Sequence, residues 1–259
     1  MKGSLKTTHP LFESDNPLLD EKQAVTEWQA AVAPGAWPCN VLSNHDLVRH
    51  VTRHGEGLHA DGRAKVAAAL VLTLRGTPFL YYGEELAMRS GHIPRRDIVD
   101  PPGKRYWPFY RGRDNARTPM QWDGSRNAGF THGKPWLPVG SSYRKINVAS
   151  EREDPRSVLN FYRGLLRLRR TSPALRRGSY RWLVKRPVEG LAYLRETPEQ
   201  AMLVLLNFYS WSISLQFDAP LPTDKWRVCL SNAGAEGERT VGDLVSLAPC
   251  EVVILEAVR

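Results

Sequence analysis

Long hydrophobic runs are missing from this 259-residue chain. The longest apolar stretch, Val66 to Leu74, is interrupted by Thr73 and has about half the length needed to cross a bilayer, so no membrane span is expected. Met1 to Lys6 carry charge with no apolar run behind them, which speaks against a secretory signal and makes the cytoplasm the default expectation. Cysteine is scarce: Cys39, Cys229 and Cys250 are widely separated, odd in number and free of CxxC spacing. That argues against a disulfide framework and a zinc site, and the three read as buried thiols. No internal repeat or low-complexity tract stands out. What remains is the composition of a globular chain, 42% hydrophobic and 24% charged, with a length near two domains at roughly 150 residues each or a single barrel.

The balance of 36 Lys and Arg against 27 Asp and Glu gives a net charge of +9, which could attract nucleic acid, phosphates or anionic lipid. The basic residues are mostly dispersed, however. Their one cluster, Arg167-Leu168-Arg169-Arg170, falls on a predicted helix whose other face is apolar, and it reads as a solvated face. No interleaved aromatic and basic recognition motif accompanies it, so neither a nucleic-acid nor a membrane partner is expected.

Along the chain, the first twenty residues carry Pro10 and Pro17 without periodicity and read as a loop or disordered lead-in. Glu21 to Val32 has helical spacing, and Pro34-Gly35 then turns the chain. Trp37 to Ser43 reads as a short buried strand with Asn44-His45-Asp46 at its end. Asp61 can cap a helix running to Leu74, with Val66, Leu70, Val71 and Leu74 on one face and Gly76 as its stop. Thr77 to Tyr82 follows as another buried strand. A strand, a helix and a strand on short connections imply parallel β/α units.

From Glu84 to Asp154 the sequence is rich in Pro, Gly, Trp and Arg and lacks sustained period; loops of that length in compact domains are usually functional, so this one should build a site. Asp154-Pro155 then starts a helix through Arg170, with Val158, Leu159, Tyr162, Leu165 and Leu166 inward, and Pro173 ends it. Beyond Tyr180, short runs separated by turn residues (Tyr180 to Val184, Leu191 to Leu194, Met202 to Phe208, Ile213 to Phe217, Trp226 to Leu230, Val252 to Leu255) predict an antiparallel sandwich. The fold class is therefore α/β plus all-β, with 1–177 as one region and 178–259 as the other.

The triplet Asn44-His45-Asp46, with Arg49 one turn on, puts a carboxylate beside a ring that can donate a hydrogen bond. At the C-terminal end of a strand in a (β/α)8 barrel such groups face the active site. Alone, the triplet reads first as a local cap, a turn closed by Asp46. Other motifs decide. Val41 to Asp46, Gly76-Thr77-Pro78-Phe79-Leu80-Tyr81-Tyr82-Gly83-Glu84-Glu85-Leu86, Arg113-Asp114-Asn115-Ala116-Arg117-Thr118-Pro119-Met120-Gln121-Trp122-Asp123, Ala128-Gly129-Phe130 and Pro135-Trp136-Leu137-Pro138 closely resemble, in order, the α-glucosidase branch of glycoside hydrolase family 13.

The resemblance, which runs from about Trp28 to the C-terminus, implies a retaining α-glucosidase acting on terminal α-linked glucose of oligosaccharides. It implies that Trp37 to Ser43 and Thr77 to Tyr82 are strands seven and eight of a (β/α)8 TIM barrel, with an antiparallel β domain from Gly178. Such enzymes use an Asp nucleophile, a Glu acid/base and a further Asp that steadies the oxocarbenium-like transition state. By motif position Asp46 is that third group, His45 would bond sugar hydroxyls, and Arg117 resembles the arginine that fixes the terminal glucose. Arg113 either joins the same wall or makes an ion pair within the long loop. Arg49 and Glu85 are expected to hold strand ends together. The motifs imply no cofactor or metal.

The departure from the family is one of length. Six β/α units at about 30 residues each need about 180 residues ahead of the seventh strand, and 45 precede Asp46. No stretch from Met1 to Val41 resembles the nucleophile or acid/base motifs, and Asp15, Asp20, Glu21 and Glu27 fall in predicted loop or helix. Glu84 or Glu85 could stand in only by pairing with Asp46 at about 5 to 5.5 Å, the retaining separation. The expectation is the C-terminal portion of a longer enzyme, with the missing N-terminal half of the barrel as its partner and no turnover by the chain alone. The alternatives are a transglucosylase or isomerase of the family, or a noncatalytic carbohydrate-binding or interaction module. Eight tryptophans could stack sugars, although those outside the motifs read mostly as core.

Overall fold

A computed structural model describes residues 25, 27–29, 31–33, 35–53, 57–184 and 190–258. The predicted lead-in lies outside the described residues, as do Asp15, Asp20 and Glu21; of the predicted first helix, Val25, Glu27, Trp28, Gln29 and Ala31 are helical. The chain divides into two compact units, one formed by residues up to Leu42, Val66–Phe79 and Leu165 onward, the other by Ser43–Lys65 and Leu80–Gly164.

In the first unit β1 (Cys39–Val41) pairs in parallel with β2 (Thr77–Phe79), with Asn40 opposite Pro78. Between them in the chain come the single-turn α1 (His50–Arg53) and α2 (Ala60–Thr73). The parallel crossover is thus as the sequence implied, but its strands are shorter than predicted; the β1 segment is buried on one side, through Pro38, Asn40 and Leu42, and β2 is not buried. Trp37 and Phe79 are exposed, because among the described residues β1 and β2 pair only with each other and no further strand covers them. Helix α2 departs from its one-faced pattern. Val66 to Leu72 are all fully buried, three consecutive alanines letting every side pack, and Asp61 sits inside the first turn rather than before it. Gly76 makes the turn into β2 at φ +134°, where a Cβ would lie 2.8 Å from the Pro38 carbonyl.

Two arginines close the C-terminal end of α2. Arg169 donates to the carbonyls of Leu72 (2.7 Å), Gly76 (2.5 Å) and Leu175 (3.0 Å), and Arg195 to those of Thr73, Leu175 (3.2 Å) and Gly178 (3.0 Å). Guanidinium groups suit this negative helix pole. Burial pulls the Arg195 pKa down to about 10. Arg169 therefore does not belong to a solvated basic face; backbone carbonyls hold it.

The chain continues through α3 (Pro101–Arg105), α4 (Val148–Glu153), α5 (Val158–Thr171) and α6 (Pro173–Arg177). Helix α5 starts at a Ser157 cap, whose hydroxyl accepts from the Asn160 N–H, three residues after the predicted start, and Leu166 faces solvent rather than the core. Pro173 opens α6 behind the Ser172 cap as well as following the end of α5.

The remaining strands are β3 (Ser179–Trp182), β4 (Leu191–Glu196), β5 (Ala201–Leu206), β6 (Ile213–Gln216), β7 (Lys225–Ser231), β8 (Glu238–Thr240), β9 (Leu244–Leu247) and β10 (Val252–Ala257). All pair antiparallel, in a six-stranded sheet of order β3-β4-β5-β10-β7-β8 and a two-stranded sheet of β6 and β9. Leu194, Leu203, Leu205, Trp226, Val253 and Leu255 from the larger sheet share one core with Ile213, Leu215, Val245 and Leu247 from the smaller. Strands β8 and β9 were not predicted: β8 is exposed throughout and β9 is four residues long. Only Cys250 is a buried thiol; Cys39 at the uncovered edge of β1 is exposed and Cys229 half-buried.

In the second unit the segment from Glu84 to Asp154 is not structureless. It is built from 3-10 turns at Glu84–Leu86, Arg95–Asp97, Asp114–Ala116 and Arg126–Gly129 together with α3 and α4. Two small apolar clusters hold it, Leu86, Met88 and Met120 in one and Ile93, Ile98 and Leu137 in the other. No described helix is long and apolar enough to cross a membrane.

Candidate active site

The turn after β1 is closed by Asn44, whose side-chain oxygen accepts the backbone N–H groups of Asp46 (2.8 Å) and Leu47 (3.1 Å). Asp46 is thereby released from the capping role that its sequence position allowed, and its side chain is half-exposed. Its Oδ1 accepts from Arg117 Nη2 at 2.9 Å and Arg113 Nη1 at 3.2 Å, and His45 Nε2 stands 3.5 Å away. Arg117 also donates from Nε to the His45 carbonyl at 2.8 Å. The structure thus brings His45, Asp46, Arg113 and Arg117 together within the second unit. Arg113 also makes the ion pair within the long loop, with Asp100 (Nη2 to Oδ1, 2.7 Å).

Beside Arg117 opens a cavity of about 510 Å³ lined also by Tyr81, Tyr82, Glu85, Met120, Trp122, Phe130 and Trp136. Trp136 is fixed to the same segment: its indole N–H donates to the Arg117 carbonyl at 3.0 Å, and Phe130 meets its ring edge-on with centroids 4.9 Å apart. Tyr82 donates to the Thr118 carbonyl at 2.7 Å. An aromatic wall ending in a guanidinium suits a sugar, whose C–H faces rest on rings while its hydroxyls seek charged partners. Of the tryptophans outside the motifs, Trp226 is core as expected, whereas Trp37 and Trp211 are exposed, the latter stacked on Tyr209.

Arg49 gathers these parts. It is fully buried, with Nη1 donating to the Tyr82 carbonyl (2.5 Å), Nη2 to the Ala116 carbonyl (3.0 Å), and its guanidinium over the Tyr82 ring at 4.6 Å. One side chain thus ties the Asp46 turn to the Tyr81–Glu85 segment and to the Arg113–Arg117 segment. Glu84 lies below, with Oε1 3.8 Å from His50 Nδ1 and both side chains buried; burial pushes its carboxyl up to about 8, opposed by the Ser43 hydroxyl and Arg49. Glu84 is therefore turned away from the cavity. Glu85 lines it, but Oε2 accepts the Gly83 N–H at 2.8 Å, which holds the strand end. Among the described residues no group of three or more His, Cys, Asp or Glu could hold a metal ion. Tyr81 and Phe130 lie in the family motifs and Asp100 in the long loop, none with a role readable from the sequence; the paired tyrosines at a strand end were the available signal.

The α-amylase catalytic-domain family matches residues 7–178, and the chain belongs to that family. It is 40% identical over 176 residues to a probable α-glucosidase of Rhizobium meliloti (strain 1021), which covers 68% of this chain and 32% of that protein. It is 37% identical over 210 residues to the oligo-1,6-glucosidase of Parageobacillus thermoglucosidasius, covering 74% and 37%. Among solved structures, the trehalulose synthase MutB from Pseudomonas mesoacidophila MX-45 superposes with a TM-score of 0.81 at 32% identity, over 92% of this chain and 46% of that one. The chain spans about a third to under half of the length of these relatives.

Proposed function

We propose that this chain is the C-terminal portion of a retaining α-glucosidase that removes terminal α-linked glucose from oligosaccharides in the cytoplasm. Residues 1–177 are the barrel segment carrying strands seven and eight and the loop 84–154; residues 178–259 are the C-terminal β sandwich. The observation that carries the reading is the convergence of Arg113, Arg117 and His45 on Asp46, next to the aromatic cavity. Asp46 steadies positive charge at the anomeric carbon as the glycosidic bond breaks, while His45, Arg117 and Arg113 hold sugar hydroxyls. The nucleophile and acid/base belong to an N-terminal half of the barrel, which also covers the exposed Trp37 and Phe79 beside the two-stranded sheet. The likeness to a trehalulose synthase supports a second reading, a sugar isomerase or transglucosylase of the same family, in which a sugar rather than water takes the glycosyl group.

The chain alone is expected to bind maltose, with a change in tryptophan emission that is lost in Trp136→Phe reporting the titration. Arg117→Ala should weaken that affinity about tenfold, the worth of one charge-assisted hydrogen bond. Unchanged affinity in Arg117→Ala would remove this residue from the site.

A further inference from the structure

We propose that Asp100 is a positioning residue of the sugar site: it fixes the Arg113 guanidinium so that one arm stands against Asp46. The inference rests on the sugar-site reading above but concerns a residue that the motifs leave without a role. The Asp100 side chain is fully buried and spends its carboxylate almost wholly on Arg113. Oδ1 accepts from Nη2 at 2.7 Å, both oxygens lie 3.3 Å from Nε, and Oδ2 accepts the Arg113 backbone N–H at 3.0 Å. Two arms of the guanidinium are thereby committed, and Nη1 remains to reach Asp46 at 3.2 Å. An arginine free to rotate would spread over many rotamers; this one meets Asp46 in a single geometry at little further entropic cost.

The surrounding backbone is built for that grip. Asp114 Oδ2 accepts the N–H groups of Val99 (2.6 Å) and Asp100 (2.9 Å), so Asp100 is itself held from the segment that it orients. Gly112 sits at φ +81°, and a Cβ there would come within 2.8 Å of Asp100 Oδ2; a Cβ on Gly103 would meet the Arg111 carbonyl at 2.9 Å. Only glycines at both positions let α3 approach the Arg111–Arg113 strip closely enough for the carboxylate to reach. The hydrogen bonds from Arg113 also hold the Asp100 carboxyl below its ordinary value.

The test compares wild type, Asp100→Asn, Arg113→Lys and the double variant in the full chain by two readouts. The first is the Arg113 Nε–H resonance, expected to be sharp and slowly exchanging in wild type and to broaden or vanish in Asp100→Asn. The second is maltose affinity, expected to fall about fivefold to tenfold in either single variant and no further in the double. Arg113→Lys keeps the charge and the backbone bond to Asp100, so it reports on the side-chain bridge even where Asp100→Asn fails to fold. An Arg113 resonance unchanged by Asp100→Asn, or affinity losses that add in the double variant, would overturn the proposal. If wild type binds no maltose, the sugar-site reading fails, and loss of the resonance in Asp100→Asn still upholds the positioning of Arg113.

Discussion

Replacing Arg49 by leucine should cost about 3 kcal/mol or more of stability and abolish maltose binding together with it. Leucine fills most of the buried volume but leaves the Tyr82 and Ala116 carbonyls without their charged donor, each such loss costing roughly 1.5–3 kcal/mol in a buried site. The Tyr81 hydroxyl reaches the Ala116 carbonyl at 3.3 Å and recovers part of it. Glu84 also loses a nearby positive charge, which raises further the cost of ionising it. The loss of binding follows because Asp46, the tyrosines at the end of β2 and Arg117 stand on three segments that meet at this guanidinium. Urea unfolding followed by tryptophan emission measures the first effect and a maltose titration the second. A stability loss with normal binding would show that the clamp does not set the rim.

Glu84→Gln is expected to stabilise the protein at pH 8 and to flatten its stability profile between pH 5 and 8. The sign follows from burial. Glu84 ordinarily titrates at 4.5 and in the fold at about 8, so the folded chain keeps a proton that the unfolded chain has released. Below about pH 4.5 both states are protonated and the fold bears no penalty; stability is then lost as pH rises toward 8, by an amount on the order of a few kcal/mol. The charged and titratable neighbours divide in their effect: Arg49 favours the carboxylate, Glu85 opposes it, and His50 and Tyr162 complete the buried surroundings. Glutamine keeps the shape and cannot ionise. Glu151, raised by burial to about 7, leaves a shallower decline in the same window. Urea midpoints at pH 5.5 and pH 8 in wild type and variant check this; equal slopes would mean that Glu84 carries a charge in the fold throughout.

How much of this was legible in the sequence depends on what each contact leaves behind. The parallel unit from Cys39 to Phe79 was readable because Val66, Leu70 and Gly76 mark a helix and its stop, and the strands β3 to β7 and β10 because apolar runs alternate with turn residues. Strand β8, Glu238-Arg239-Thr240, carries no apolar residue and leaves no periodic trace. Arg169 looked like one member of a solvated cluster because its partners are backbone carbonyls, which no sequence pattern displays. At the site, His45, Asp46, Arg113 and Arg117 stood out through motifs at strand and loop ends. Asp100 did not: next to Pro101 it resembles a helix cap, and its bond to Arg113 spans a segment without period. Burial of β2 and of the Trp37 side of β1 was misjudged because apolar side chains reveal a core-seeking strand without revealing whether neighbours cover it.

The most direct test offers the chain 4-nitrophenyl α-glucoside and follows binding and nitrophenolate release in one experiment. On the proposed reading, in which the nucleophile and acid/base belong to another part of the barrel, the chain should bind the glycoside saturably, bind it about tenfold more weakly in Arg117→Ala, and release nothing. Nitrophenolate released by this chain and abolished by Asp46→Ala would contradict it, showing that the residues present already complete a catalytic site.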